Sequence, residues 1–430
     1  KGLGWNPDLT GRRLTCWINH SIFIKNALPK NSVDLFHHSL ALQTVFLSRR
    51  WQQFSTGVAR LEALCGLVCA GYSLVGMDHL GASSLKILEA ECVAQITSDG
   101  TLLSRNPEEV LKVFGLLIQI KITLNLAEVQ IPEPLLNRIS KMAPVLRSLR
   151  HGDGTLARFH GGSSGSEYFL DQTLAASEVR PSIPQENAMG FSRFTSGSTT
   201  VIIDAAAPNS GPDSFNAHAS TCGLELSTGR TPLIVSCGSG SSFGDNFHLA
   251  GRCTASHSTM TIEGVNSSWF SKGAQRHLSY LQDVPKIIKV QKTRAIDGAR
   301  LRINHNGYQG SHGLMHVRTL DLPVDGSGLI GEDELYPPNK KDVKQFDKMR
   351  GQCSGELKYA VQFHIHPDVH TSLVAGGSAV SLTFRNGDLW VLRHDGSSIL
   401  SIEESVYFDD KLLYPRTTSQ IVLSGKIKEF

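Results

Sequence analysis

The chain has 430 residues, enough for two or three domains with sizeable cores, which excludes a small disulfide-stapled module. Hydrophobic residues make up 40% and charged residues 19%, with 40 Gly and 17 Pro, which excludes long disorder and collagen-like repeats. The net charge of +3 divides into 17 Lys/Arg against 12 Asp/Glu up to residue 160 and 25 against 27 after it, too weak for a nucleic-acid surface, though suited to an anionic small polymer. No run approaches the ~18 apolar residues of a membrane span. The best candidate, 111–122, is interrupted by Lys112, Gln119 and Lys121. The eight cysteines are scattered, without a CxxC pair, and read as reduced, buried small hydrophobes. The chain opens at Lys1 with neither an initiator Met nor a signal peptide, and reads as a fragment or processed form.

From Asp8 to about Leu149 the apolar spacing is helical. Leu61, Leu64 and Val68 form one stripe, and Leu85, Leu88, Cys92 and Ile96 another. Pro107-Glu108-Glu109, after Asn106 as N-cap, opens a third helix, and Pro132-Glu133-Pro134 opens a fourth that reaches Arg150. Hairpinned helices of this length describe an all-α array. After His160 the pattern changes. A turn-rich stretch, Gly161 to Ser166, leads into short β-branched runs separated by turns, as in an all-β sandwich. The runs are 199–203, 232–235, 258–262 and 286–290. Asn386-Gly387 sits between 380–384 and 389–392 as a hairpin turn, and further turns are expected at Asn306-Gly307, Asp325-Gly326 and Asp395-Gly396.

Histidines carry most of the chemical information, six of them before residue 161 and eleven after. His218 and His257 each stand beside an apparent strand, and two readings stay open. They share a Zn²⁺ with Cys237 as the thiolate third ligand, or they are hydrogen-bonded structural histidines. In Phe363-His364-Ile365-His366-Pro367 the alternation of a strand puts His364 and His366 on one face, as a substrate-facing pair or as a polar strand end stopped by Pro367. In the loop Ser98 to Pro107, Arg105 offers a planar fork for a carboxylate and Asn106 a neutral partner, unless both serve only the helix end. Arg150-His151-Gly152-Asp153-Gly154 is a second such loop, with the same alternative.

At these residues the chain resembles the heparinase II/III-like family of bacterial polysaccharide lyases, in its alphaproteobacterial branch. The likeness is carried by Asp99-Gly100 with Ser104-Arg105-Asn106-Pro107, by Arg150 to Gly154, Asn216-Ala217-His218-Ala219-Ser220 and Leu233 to Gly238. It continues through Ser256-His257-Ser258-Thr259, Phe363 to Pro367 and Arg393-His394-Asp395-Gly396. The resemblance implies an α+β multidomain chain: an incomplete (α/α) toroid, truncated at its N-terminus, followed by an antiparallel β-sandwich. Residues 1–155 would be the toroid portion, 156–187 a linker and 188–430 the β-sandwich. In active members the substrate tunnel lies between toroid and sandwich.

The chemistry implied is β-elimination at a uronic acid, making the protein a carbon–oxygen lyase if active. It needs a neutralised carboxylate, a base and an acid, and no nucleotide or redox cofactor. By this resemblance Arg105 and Asn106 meet the sugar carboxylate, His151 or His218 is the base and Asn216 positions the sugar. His218 and His257 match the histidine ligands of a structural zinc. Four positions depart from the family pattern. Glu109 stands at the catalytic Tyr, followed by Val110 where a His often stands, Asn216 stands at the catalytic His, and Ser236 stands at the Asp ligand of the metal. The expected partner is an acidic polysaccharide or oligosaccharide, with no nucleic acid and no membrane span, and the oligomeric state is open. The expected location is the cell envelope or periplasm, with the cytoplasm as the alternative. A second reading is a carbohydrate-binding or envelope-associated protein that has lost the catalytic Tyr and His. A third is a glycoside hydrolase using Glu109 and Asp153.

Overall fold

The computed structural model describes residues 3–53, 56–181, 184–271 and 279–429. By internal contacts the chain divides into two compact units. The helical unit comprises Lys1–Leu103, Glu109–Leu146 and Tyr168–Ile183, and the sheet unit comprises Ser104–Glu108, Arg147–Glu167 and Pro184–Phe430. Each unit is therefore assembled from three separate stretches of chain.

The principal helices, in chain order, are α1 (Pro7–Asn19), α2 (Ser21–Ala27), α3 (Val33–Arg50), α4 (Val58–Ser73), α5 (Asp78–Gln95), α6 (Pro107–Leu126), α7 (Glu133–Ser148) and α8 (Glu167–Ser177). The last of these lies inside the stretch 156–187 read from the sequence as a linker. On α4 the stripe Leu61, Leu64 and Val68 is buried, and so are Ala63, Cys65, Leu67, Cys69 and Ala70. A helix enclosed on all sides explains why its apolar pattern is broader than one stripe. It packs on α1 through glycine: a Cβ on Gly66 would lie 2.4 Å from Gly11 Cα. Helix α6 starts where Pro107 and Asn106 indicate, with Asn106 Oδ1 accepting the Glu108 N–H at 2.9 Å.

The strands begin with β1 (Asn187–Ala188), β2 (Phe191–Ser196), β3 (Thr199–Asp204), β4 (Leu224–Thr228), β5 (Thr231–Val235) and β6 (Met260–Ile262). They continue as β7 (Trp269–Phe270), β8 (Leu281–Asp283), β9 (Ile288–Ala295), β10 (Gly298–Tyr308), β11 (Leu314–Pro323) and β12 (Ile330–Tyr336). The last are β13 (Leu357–Ile365), β14 (Val369–Val374), β15 (Ala379–Phe384), β16 (Leu389–Arg393), β17 (Ile399–Tyr407) and β18 (Arg416–Ile427). A nine-stranded sheet runs β1-β2-β3-β4-β5-β13-β18-β17, with β6 paired to β13. The other sheets are β12-β11-β10-β9, β14-β15-β16 and the ribbon β7-β8. Neighbours pair antiparallel, as in His305↔His316 and Leu382↔Trp390. Phe194, Val201, Leu226 and Ile365 of the large sheet share one apolar core with Leu301, Ile303 and Leu320 of the second and Val380, Leu382 and Phe384 of the third.

Asn386-Gly387 makes the expected hairpin between β15 and β16. Asn306-Gly307 corrects the sequence reading: it is no turn but part of β10, at a shift of register against β11. The Asn306 side chain explains the extended backbone, because its Oδ1 accepts the N–H groups of Lys286 and Ile287, at 2.9 Å each, instead of closing a turn on itself. Among the described residues no helix is long and apolar enough to cross a membrane.

Candidate functional site

The side chains that the sequence marks as chemical gather in the sheet unit around β3, β4 and the segment 147–160. Arg105 has a positive φ of 56° and reaches 99 residues along the chain to Asp204 at the end of β3. Its five N–H donors are all engaged. Nε bonds to Met189 O (3.0 Å), Nη1 to the carbonyls of Ala206 and Ala207, and Nη2 to Gly190 O and to Asp204 Oδ1 at 2.5 Å. Gly190 (φ 78°) is a requirement of this packing, since a Cβ there would lie 2.9 Å from the guanidinium. Asp204 is fully buried, and its Oδ2 accepts the Ser220 hydroxyl at 2.6 Å. Burial alone would raise this carboxyl's pKa. The Arg105 charge, with His160 and Ser220, overcomes burial and holds the group well below the usual carboxylate range.

His160, also at positive φ (48°), accepts the His218 N–H on Nδ1, so its proton sits on Nε2. That atom lies 3.3 Å from Asp204 Oδ2, at an angle that leaves it without a hydrogen bond. Burial lowers the His160 pKa, against the pull of the Asp204 carboxylate. His151 has both ring nitrogens occupied, Nδ1 by Ser227 Oγ (3.1 Å) and Nε2 by Glu225 Oε2 (3.2 Å). Glu225 is buried on β4 and also accepts the N–H groups of Arg158 and Ser236. Burial pushes its pKa up, but His151 and Arg158 bring it below the ordinary value. Arg158 lies over the Tyr407 ring and bonds to the carbonyls of Ser236, Cys237 and Phe408.

His218 and His257 do meet, Nδ1 to Nε2 at 3.2 Å, both fully buried. Burial drives the His257 pKa down to about 3 and that of His218 well below its usual value. The other nitrogen of His257 contacts Ser236 Oγ at 3.2 Å. Cys237 does not join them; its Sγ faces His364 Nδ1 (3.5 Å) and Ser405. Two imidazoles and a neutral hydroxyl do not make the donor set of a structural zinc, so the expected His218, His257 and Cys237 arrangement is not assembled. His364 and His366 keep the alternation expected of a strand: beyond the Ile365↔Ile234 pair the His366 N–H bonds to Leu233 O at 3.0 Å, and the two rings meet Ser405 and Tyr407, two residues apart on β17. His364 is buried at the end of β13, with Nε2 donating to Ala255 O at 2.9 Å, and His366 lies edge-on to Tyr407 and near Asp368. Asn216 is exposed. Asp153 Oδ1 accepts the Thr155 N–H and hydroxyl in a local turn, the helix-terminating alternative for its loop.

The sequence reading missed His160, Asp204 and Glu225. A signal existed for Asp204, a carboxylate closing the otherwise uncharged strand run Thr199-Thr200-Val201-Ile202-Ile203, where burial demands a cation. His160 and Glu225 carried no local signal.

Comparison with known proteins matches residues 179–429 to the family described as heparinase II/III-like, C-terminal. A relative from Caulobacter vibrioides, FtsZ-localized protein C, is 28% identical over 429 residues, 99% of this chain and 72% of its own, in keeping with the alphaproteobacterial branch. Among solved structures, heparinase III superposes with a TM-score of 0.70 at 13% identity, over 97% of this chain and 67% of its own. A mutant of heparan sulfate lyase HepC from Pedobacter heparinus superposes with a TM-score of 0.67 at 14% identity, over 99% of this chain and 66% of its own. The chain thus spans about two thirds of the length of these structures, and their likeness is one of fold: helices with antiparallel sheets. With a family match over more than half its length, the chain belongs to the heparinase II/III-like family.

Proposed function

We propose that this chain is a non-cleaving relative of the polysaccharide lyases, holding an acidic, uronate-containing polysaccharide or oligosaccharide on the heparinase scaffold. On this reading the helices are a portion of an (α/α) toroid, the sheets form a β-sandwich and the protein works in the cell envelope or periplasm. The observation that carries it is the saturation of Arg105. With every donor bound to Asp204 or to main-chain carbonyls, that guanidinium is not available to neutralise a sugar carboxylate, the first requirement of β-elimination. The amide oxygen of Asn106 serves the helix cap, and Glu109 and Asn216 replace the proton-transfer groups of the family. No cofactor is needed for such binding.

One observation favours elimination instead: the imidazole of His151 is oriented by the buried carboxylate of Glu225, and its Nδ1 would serve as a general base once a substrate displaced the Ser227 hydroxyl. Incubation of the protein with heparan sulfate and alginate separates the two readings. Retardation of the polymer in affinity electrophoresis without the ultraviolet absorbance of an unsaturated uronate supports binding alone. Absorbance that grows with time and vanishes in His151→Ala establishes elimination. Failure to retard either polymer removes the proposal.

A further inference from the structure

We propose that Cys222, His305 and His316 form a site for a borderline-soft divalent cation, with zinc as the ion favoured by one thiolate and two imidazoles. The three come from separate elements, Cys222 from the turn before β4, His305 from β10 and His316 from β11, and one ligand atom of each lies within 4.8 Å of the others. All three are buried. His305 and His316 are direct cross-strand partners, with Nε2 and Nδ1 3.0 Å apart. Two nitrogens at about 2.0–2.1 Å from a tetrahedral zinc lie little further apart than this. Cys222 has a positive φ of 65°, which is uncommon for a non-glycine residue.

The surroundings supply what a metal-binding histidine needs beyond its ligand atom. Asp333 on β12 accepts from His316 Nε2 at 2.7 Å, which fixes the tautomer and turns the Nδ1 lone pair toward the cluster. The nearby positive charge is compensated, because Arg318 is paired with both oxygens of Asp333 and donates to the carbonyls of Cys222 and Ser258. Arg318 and Asp333, which contact the cluster, also line a cavity of about 810 Å³.

Without an ion the same groups form a closed hydrogen-bond chain. The Gly307 N–H donates to His305 Nδ1 (3.1 Å), His305 Nε2–H to His316 Nδ1, and His316 Nε2–H to Asp333. Loading therefore moves two protons. The Cys222 thiol gives up its proton to solvent as the sulfur–metal bond forms, and the His305 proton passes from Nε2 to Nδ1, displacing the Gly307 contact. Gly307 lies at the register shift between β10 and β11, where the ladder does not hold the backbone.

The test is metal analysis of the full chain, expressed with added zinc and purified without chelator. About one zinc per chain is expected, falling at least tenfold in Cys222→Ser and in His316→Gln, with unchanged far-ultraviolet circular dichroism. Should those variants fail to fold, wild type refolded with Co²⁺ decides the matter: a thiolate-to-cobalt charge-transfer band is expected, and Cys237→Ser is expected to keep it. A wild-type chain that carries no zinc and shows no cobalt band overturns the proposal. Zinc retained by both folded variants, or a band lost in Cys237→Ser, overturns it equally.

Discussion

The interiors of the two units are built on different physics. Among the described residues of the helical unit, the buried polar side chains are uncharged, such as Thr10, Gln43, Thr44 and Ser84, and close approach at Gly11 and Gly66 sets the helix crossing. The sheet unit buries Arg105, Arg158, Arg252 and Arg318 together with Asp204, Glu225 and many of its histidines. Apolar packing fails gradually, by lost contacts and cavities. A buried ion pair fails abruptly when one partner is removed, because the other is left charged in a dry site. The sheet unit is therefore the more sensitive to single polar substitutions and to acid.

The largest expected effect is that of Asp204→Asn, which leaves Arg105 uncompensated and costs about 3–5 kcal/mol in urea unfolding at neutral pH. Because the folded carboxyl is held below its ordinary value, its contribution is complete above about pH 4, the unfolded pKa, and is lost as pH falls from there through the lower folded value. The gap between wild type and Asp204→Asn should narrow over that acid range. Gly66→Ala should cost about 1–3 kcal/mol by forcing α1 and α4 apart, equally at neutral and acid pH. A pH-dependent cost for Gly66→Ala would mean that the helical interior also rests on titrating groups. Asn106→Ala, which removes the cap of α6, should lower stability by about 1 kcal/mol. At the small end, Arg300→Ala removes an exposed pair with Asp321 and should leave the melting temperature unchanged.

These differences also explain what the sequence could and could not reveal. Leu61, Leu64 and Val68 disclose α4 because helical burial repeats within a few residues, and Asn386-Gly387 discloses its hairpin because the turn is local. Asn306-Gly307 misled, since the amide that ordinarily closes a turn was claimed by Lys286 and Ile287, some twenty residues away. The site was harder still. Arg105 reads as a free fork beside a helix start, and nothing near it announces that Asp204 and four carbonyls between residues 189 and 207 will absorb it. His364 and His366 illustrate the same limit: alternation assigns them one face, but nothing near them in sequence announces that Ala255, Cys237 and Ser405 will occupy both nitrogens of His364.

The interleaved chain path has a practical outcome for anyone dividing this molecule. A fragment beginning at residue 188 would carry the sheets but omit Arg105, His151, Arg158 and His160, which the sheet unit draws from upstream. Asp204 and Glu225 would then sit in an apolar interior without their counter-charges. Such a truncation should emerge insoluble or molten.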